Sequence, residues 1–99
     1  PRMLLMNADM MLIGAMELAI EQARLYEKSC RLADQLKRWQ SIFRNDARIY
    51  AENPTEDNKL NIDISAKQVE VNKKWADDAS TKYNEHIEKY GLIWTALIR

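Results

Sequence analysis

The chain has 99 residues, of which 46% are hydrophobic and 30% are charged, and it contains only two glycines and two prolines. This composition is typical of a helix-rich globular or coiled-coil protein and argues against a disordered chain. The fifteen basic and fifteen acidic residues cancel, which removes the bulk attraction on which nucleic-acid-binding proteins depend. The single cysteine excludes an internal disulfide and a cysteine-based zinc site.

The N-terminal segment, residues 3–20, is strongly apolar but is interrupted by Asn7 and two acidic residues. It therefore lacks the roughly 20 mostly apolar residues of a membrane-spanning helix, and no transmembrane segment is expected. No signal-peptide cleavage site follows it, so we expect folded structure in a protein that is cytoplasmic or secreted without a cleavable signal. Its methionines, including Met10 and Met11, are typical of an adaptable binding face or of a core shared with a partner.

A first helix is predicted over residues 8–51, with Asn7 as its N-cap and Pro54 as the residue that stops it. If unbroken, this helix is about 65 Å long. Asn45 is a poor residue for a helix interior, so the chain could break there and form a short third helix.

Residues 52–64 are predicted as a hinge, in which the alternating apolar residues of LNIDI could form a short extended segment. A second helix is predicted over residues 65–98. Ser65 is its expected N-cap, and Gln68 can complete a capping box with it. Gly91 is the one weak point of this helix.

The second helix carries a seven-residue repeat. Its members are Ile62, Val69, Ala76, Tyr83, Tyr90 and Leu97, which alternate with Ser65, Asn72, Ala79, His86 and Ile93. Spacings of three and four residues over this length predict a coiled-coil-like seam. The polar members of the seam need hydrogen-bond partners if they are buried.

The first helix carries two apolar stripes, about 140° apart around its axis. One consists of Leu12, Met16, Ala19, Ala23, Tyr26, Cys30 and Ala33. The other consists of Leu18, Leu25, Leu32, Leu36, Trp39, Phe43 and Tyr50. A single partner helix covers only one stripe, so the other would remain as a large apolar patch. We therefore expect a second copy of the chain to cover it.

The charges favour an antiparallel hairpin. Residues 24–51 hold seven basic and three acidic residues, whereas residues 52–89 hold nine acidic and six basic ones. These segments of opposite net charge lie against each other when the two helices run antiparallel. We expect the basic run to be a solvated or partner-facing surface, and nucleic acid is not an expected partner.

No enzymatic activity, cofactor or metal is expected. The sequence has no glycine-rich phosphate loop, nucleophile motif or acidic cluster, and no aligned Glu-x-x-His pair accompanies its only histidine. We favour His86 as a hydrogen-bonded seam residue over a metal ligand, general base or pH switch. Cys30 is expected to be a buried small residue, with a reactive thiol or an intersubunit disulfide as alternatives.

The predicted fold is therefore all-α: residues 1–99 form a single helical domain, an antiparallel hairpin with long coiled-coil-like arms that oligomerisation completes. In layout, with its long first helix, the turn at NPTED and a second helix ending in IWTALIR, the chain resembles small helical-hairpin subunits of bacterial secretion systems. The resemblance implies a subunit of a secretion-type assembly.

The expected function is interaction, with itself as a dimer or larger homo-oligomer and with another protein. The alternative is a small adaptor, chaperone or inhibitor that binds another protein through its spare apolar helix face. The residues predicted to carry these interactions are Met10, Met11, Leu18, Leu25, Leu32, Leu36, Trp39, Phe43, Tyr83, Tyr90, Ile93, Trp94 and Leu97.

Overall fold

A computed structural model describes the backbone of residues 2–93 and the side chains of residues 11–93. Two α-helices, α1 (Arg2–Glu52) and α2 (Glu56–Tyr90), form an antiparallel hairpin 78 Å long, and the described residues contain no strand. The predicted all-α hairpin with long arms is confirmed.

Helix α1 is continuous, as the predicted helix over residues 8–51 requires, and the alternative of a break near Asn45 with a short third helix does not occur. The Asn45 side chain does not compete with the helix backbone, because its Oδ1 accepts a hydrogen bond of 2.9 Å from Arg48 Nη2. Arg48 also forms an ion pair of 3.3 Å with Glu52, one turn later. The start of α1 at Arg2 likewise replaces the expected N-cap at Asn7, since strong helix formers surround that residue.

The hinge comprises only residues 53–55, so the predicted hinge over residues 52–64 and the helix start at Ser65 are wrong. Thr55 is the N-cap of α2: it has an extended backbone, and its Oγ1 accepts a hydrogen bond of 3.1 Å from the Asn58 amide. Glu56 and Asp57 add negative charge to the first turn, where the helix dipole favours it. The LNIDI segment is consequently helical, and Ser65 lies inside α2.

Helix α2 ends at Tyr90, so its predicted continuation to residue 98 is interrupted at Gly91. Gly91 has φ 76°, a left-handed conformation that glycine adopts without a Cβ clash, and its N–H donates to the carbonyl of Ile87 at 2.7 Å. Residues 94–98 lie outside the described part of the chain.

The core between the helices is narrow and built largely from small residues. Leu32 is buried against Ala76 and Ala79, and Leu36 packs onto this cluster. Buried polar residues share the seam, and two of them are satisfied within their own helix. Ser65 Oγ donates to a carbonyl one turn earlier, and Asn72 Nδ2 donates to the Gln68 carbonyl at 2.8 Å. Small side chains let the helix axes approach closely, but they bury little apolar surface area.

Ion pairs among the described residues connect positions within one helix, three or four residues apart. None of those ion pairs crosses from α1 to α2. Each is exposed and is worth under about 1 kcal/mol. Within the described residues, the oppositely charged arms are therefore not joined by direct ion pairs.

Candidate interaction surface

One row of residues on α1, which we call the seam row, packs toward α2. Its spacing alternates between three and four residues, the pattern that keeps one helix face against a partner. Within the described side chains, every member from Ala15 onward is buried or half-buried. The members are Ala15, Leu18, Gln22, Leu25, Ser29, Leu32, Leu36, Trp39, Phe43, Asp46 and Tyr50.

The seam row contains all seven residues of the second predicted stripe and also polar positions that sequence reasoning missed, among them Gln22 and Ser29. Gln22 is fully buried and Ser29 is half-buried. Both were overlooked because the stripes were traced through apolar residues alone. Their spacing, four residues after Leu18 and four after Leu25, was the available signal.

The face of α2 toward α1 follows the predicted seven-residue repeat. Ser65, Asn72, Ala76 and Ala79 are buried. The half-buried members within α2 are Ile62, Val69, Tyr83 and His86, whereas Tyr90 is exposed and Ile93 follows the end of the helix. The repeat therefore identified the packing face of α2, although its polar members Ser65 and Asn72 bond within their own helix rather than across the seam.

The two arms as described, α1 from residue 2 and α2 to residue 90, differ in length, so within the described residues no helix lies beside the first turns of α1. The rings of Tyr26 and Tyr83 meet at 5.4 Å, and Gln22 bonds to the chain just after α2. In this antiparallel register, Tyr90 lies opposite about Ala19. Residues 2–18 of α1, which we call the overhang, therefore extend beyond α2 by roughly 25 Å.

Large apolar side chains are concentrated in and beside the overhang. Of the twelve large hydrophobic residues that are exposed within the described part of the chain, five lie between positions 11 and 20. Their exposed fractions are Met11 75%, Leu12 54%, Ile13 56%, Met16 49% and Ile20 49%. A helix that is apolar on all sides is normally buried against something. No helix among the described residues is long and apolar enough to cross a membrane.

The predicted interaction residues fall into three groups. The first group is buried or half-buried where the chain packs on α1. It consists of Leu18, Leu25, Leu32, Leu36, Trp39, Phe43 and Tyr83 in the seam between the helices, and of Ile93 just after α2. Met11 and Tyr90 are exposed. The Met10 side chain, Trp94 and Leu97 lie outside the described residues. The structure thus brings the first group together inside the hairpin, and their role between molecules stays a prediction.

Gln22 holds the chain that leaves α2. Its Nε2 donates a hydrogen bond to the Gly91 carbonyl, and its Oε1 accepts one of 2.9 Å from the Ile93 amide. The buried side-chain amide of Gln22 therefore satisfies two backbone groups just after the end of α2, the Gly91 carbonyl and the Ile93 N–H. This contact places residues 91–93 against α1 at the base of the overhang.

His86 lies on the seam as predicted, but the hydrogen bond expected for it is missing at one nitrogen. Its Nδ1 is buried and has no hydrogen-bond partner among the described residues. Its ring lies 4.7 Å from that of Tyr90, at 51°. The ring contact with Tyr90 is thus the side-chain interaction that the structure shows for this imidazole. The described residues contain no group of three or more His, Cys, Asp or Glu side chains that could hold a metal ion.

Cys30 is exposed, so its expected burial is wrong. The stripe on which it lies flanks the seam row, and only some of its members reach α2. Cys30 instead contacts the side chain of Tyr26, one helical turn earlier. A hydrogen bond to Cys30 and charge interaction with it raise the pKa of the Tyr26 hydroxyl above its ordinary value of 10.0.

No family model matches this chain, and no curated protein or solved structure matches it either. The expected resemblance to secretion-system hairpin subunits therefore stays a prediction from the layout of the sequence. The surface that distinguishes the molecule is the overhang, together with the chain end that Gln22 fixes at its base.

Proposed function

We propose that this protein is a non-enzymatic structural subunit that associates with copies of itself, as a dimer or a larger assembly, through the overhang of α1. The observation that carries the proposal is the group of five exposed apolar side chains between Met11 and Ile20, on a stretch of helix that extends past α2. Exposed apolar surface of this density marks an interaction site on a soluble protein.

The energies fit a reversible association. Fully burying a large apolar side chain is worth about 1.5–3 kcal/mol, and each of these five is roughly half exposed. Covering them is therefore worth roughly 5 kcal/mol per copy, or about 10 kcal/mol for a symmetric pair. Association itself costs about 4–15 kcal/mol in lost freedom of motion. The two magnitudes are similar, so the oligomeric state depends on protein concentration.

The layout of a long hairpin with an apolar end is the basis for placing such an assembly in a secretion-type system. An elongated helical hairpin buries little of its surface by itself, and assembly supplies the missing contacts. Within such an assembly the hairpin supplies the rod, and the overhang supplies the contact between rods.

A second candidate function, an adaptor, chaperone or inhibitor, is favoured by a separate surface on α2. Leu60, Ile64 and Trp75 are each about half exposed, and Val71 lies on the same face between them. We call these four residues the outer row. Their spacing places them about 110° from the residues that pack on α1, so a different protein can bind there without opening the hairpin.

Sedimentation velocity across a concentration series separates the two candidates. The proposal predicts that the unmodified chain passes from monomer to dimer or larger species as concentration rises. Ile13→Gln together with Met11→Gln, in the overhang, should suppress this association. Leu60→Gln together with Ile64→Gln, in the outer row, should leave it unchanged. A chain that remains monomeric at every concentration contradicts self-association and leaves the second candidate.

A further inference from the structure

We infer that two copies pair back to back, with their α1 helices antiparallel and in contact through the face of α1 that points away from α2. In this register, Glu27 lies level with Arg38 of the second copy, and Arg31 lies level with Asp34. The inference rests on the proposed self-association and specifies its geometry.

The contact face is a row of residues on α1 that we call the rear row. Its members follow one another at spacings of three or four residues, and the middle of the row lies between about 110° and 160° around the helix from the middle of the seam row. The members are Ile13, Met16, Ile20, Ala23, Glu27, Arg31, Asp34, Arg38, Ile42, Asn45, Ile49 and Glu52. All of these side chains are exposed except the half-buried Ala23 and Ile49. The described hairpin therefore leaves this face of α1 open to a second molecule.

The first argument is charge complementarity. Four exposed charged residues form the middle of the rear row and alternate in sign: Glu27, Arg31, Asp34 and Arg38. Their spacings of four, three and four residues are the same in both directions along the helix, so an antiparallel copy sets an opposite charge level with each of them. A parallel copy instead sets identical charges against each other, which is repulsive. The same four side chains line an open groove on the helix surface, into which the ridge of a second helix can pack.

The second argument is the position of exposed apolar residues on either side of this charged middle. Ile20 is 49% exposed and Ile42 is 44% exposed. The antiparallel register places Ile42 of the second copy level with Ala23, less than one turn from Ile20. It also places Met16 level with Ile49 of the second copy. Each copy therefore covers apolar side chains of the other at both ends of the contact, and these include two of the five exposed residues that support self-association.

The third argument selects this register over its neighbours. If the second copy shifts by one heptad so that Glu27 faces Arg31, Arg38 comes level with Ile20, which desolvates a charge against an apolar side chain. If it shifts by one heptad the other way, so that Asp34 faces Arg38, both Glu27 and Arg31 come level with uncharged residues. Only the intermediate register pairs all four charged residues with one another.

The size of the contact fits a reversible dimer. Residues 13–52 of each α1 take part, over a length of about 60 Å. A strip about 10 Å wide along this length covers about 600 Å² on each copy, or about 1,200 Å² in total, which is the lower limit for a specific, stable interface. Four helices then lie in one layer, with the two α2 helices on the outside. The dimer is roughly 90 Å long, because the first turns of each overhang extend past the hinge of the other copy.

Charge reversal tests the inference in the full chain. Glu27→Arg sets positive charges against the Arg38 side chains, and Arg38→Glu sets negative charges against the Glu27 side chains. Each substitution alone should weaken dimerisation at least about tenfold at low ionic strength, as measured by sedimentation equilibrium. An equimolar mixture of the two variants should associate within about threefold of the unmodified chain, because each variant supplies the charge that the other requires.

Glu70→Arg, on α2, is the matched control. Glu70 forms exposed ion pairs of 3.8 Å with Lys67 and 3.7 Å with Lys74 within its own helix, just as Glu27 forms one of 3.7 Å with Arg31. Reversing its charge makes the same chemical change away from the rear row, so dimerisation should change by less than about threefold. Circular dichroism of each variant checks that the helices are retained.

The outcomes are distinguishable. Weakening by both rear-row reversals, with recovery in their mixture, supports the inference. Association that is weakened by only one of them or by neither, that is not restored in the mixture, or that Glu70→Arg weakens equally, overturns this geometry while self-association stands. A chain that is monomeric at every concentration overturns both the inference and the proposed function.

Discussion

Replacing Gln22 by leucine should release the chain that follows α2 while leaving the hairpin intact. The Gln22 amide is fully buried, and it is the bonding partner of both the Gly91 carbonyl and the Ile93 amide. Leucine keeps a similar volume in the seam but offers neither bond. Each of the two backbone groups must then recover its hydrogen bond from water, which requires residues 91–93 to move away from α1.

The size of the effect follows from the two bonds. A hydrogen bond within a protein contributes about 0.5–1.5 kcal/mol net, so the pair contributes about 1–3 kcal/mol to holding the segment in place. Loss of this contribution lowers the protection of the Ile93 amide against hydrogen exchange by roughly 5- to 150-fold. The Gly91 amide bonds to Ile87 instead and should keep its protection, which provides an internal control.

Hydrogen exchange followed by NMR measures each amide separately. Gln35→Leu is the matched control: it makes the same change at a half-buried position of α1 far from the chain end. It should leave exchange at Ile93 unaltered. If the Ile93 amide of the Gln22→Leu protein stays as protected as in the unmodified chain, the reasoning about this contact is refuted.

Three further predictions concern the hinge, the core and the exposed thiol. Thr55→Ala removes the N-cap of α2 and should lower the free energy of unfolding by about 1 kcal/mol in urea titrations, whereas Thr55→Ser should retain most of it. Leu32→Ala should cost about 2–5 kcal/mol by the same assay, because this side chain is buried against two alanines; the exposed Leu60→Ala should cost under about 0.5 kcal/mol, and equal effects would contradict the assigned core. Cys30→Ala should lower the pKa of Tyr26 toward 10.0, seen as phenolate absorbance appearing at lower pH. Since the folded protein holds the Tyr26 proton more tightly than the unfolded chain, stability should fall as the pH rises above about 10, and this fall should be smaller in Cys30→Ala.

The hairpin itself was predictable because the strongest signals agree. Long stretches without proline or glycine predict helices, the proline at position 54 separates them, and the repeat through Val69 and Ala76 identifies the packing face of α2. Both the propensity of each segment and its apolar periodicity indicate the same arrangement. A fold can be predicted from its sequence when local propensity and the overall packing pattern agree.

The start of α2 was mispredicted because two complete capping signals compete. Ser65 with Gln68 satisfies the rules for a capping box, and Thr55 with its acidic neighbours satisfies those for an N-cap. The repeat could have decided between them. Ile62 is its first member and precedes Ser65, so a helix that uses Ile62 for packing must begin before it.

The overhang could not be derived from the sequence in the same way. Its existence depends on where α2 stops, and that in turn depends on the positive φ of Gly91. In the observed register, a second helix that reached residue 98 would end opposite about residue 11, so that expectation hid the difference in length between the described arms. The burial of Gln22 could not be predicted for a related reason. No sequence motif indicates that a glutamine among apolar residues will bond to the backbone of a distant segment.

Under the proposed self-association, the narrow seam of the hairpin links folding to assembly. Alanine, serine and asparagine occupy most of its enclosed positions on α2, so an isolated hairpin gains little free energy from its own interior. Any surface that copies cover for one another then makes up a large part of what keeps each copy folded. The melting temperature of this protein should accordingly climb as its concentration is increased, and dilution alone should loosen the helices.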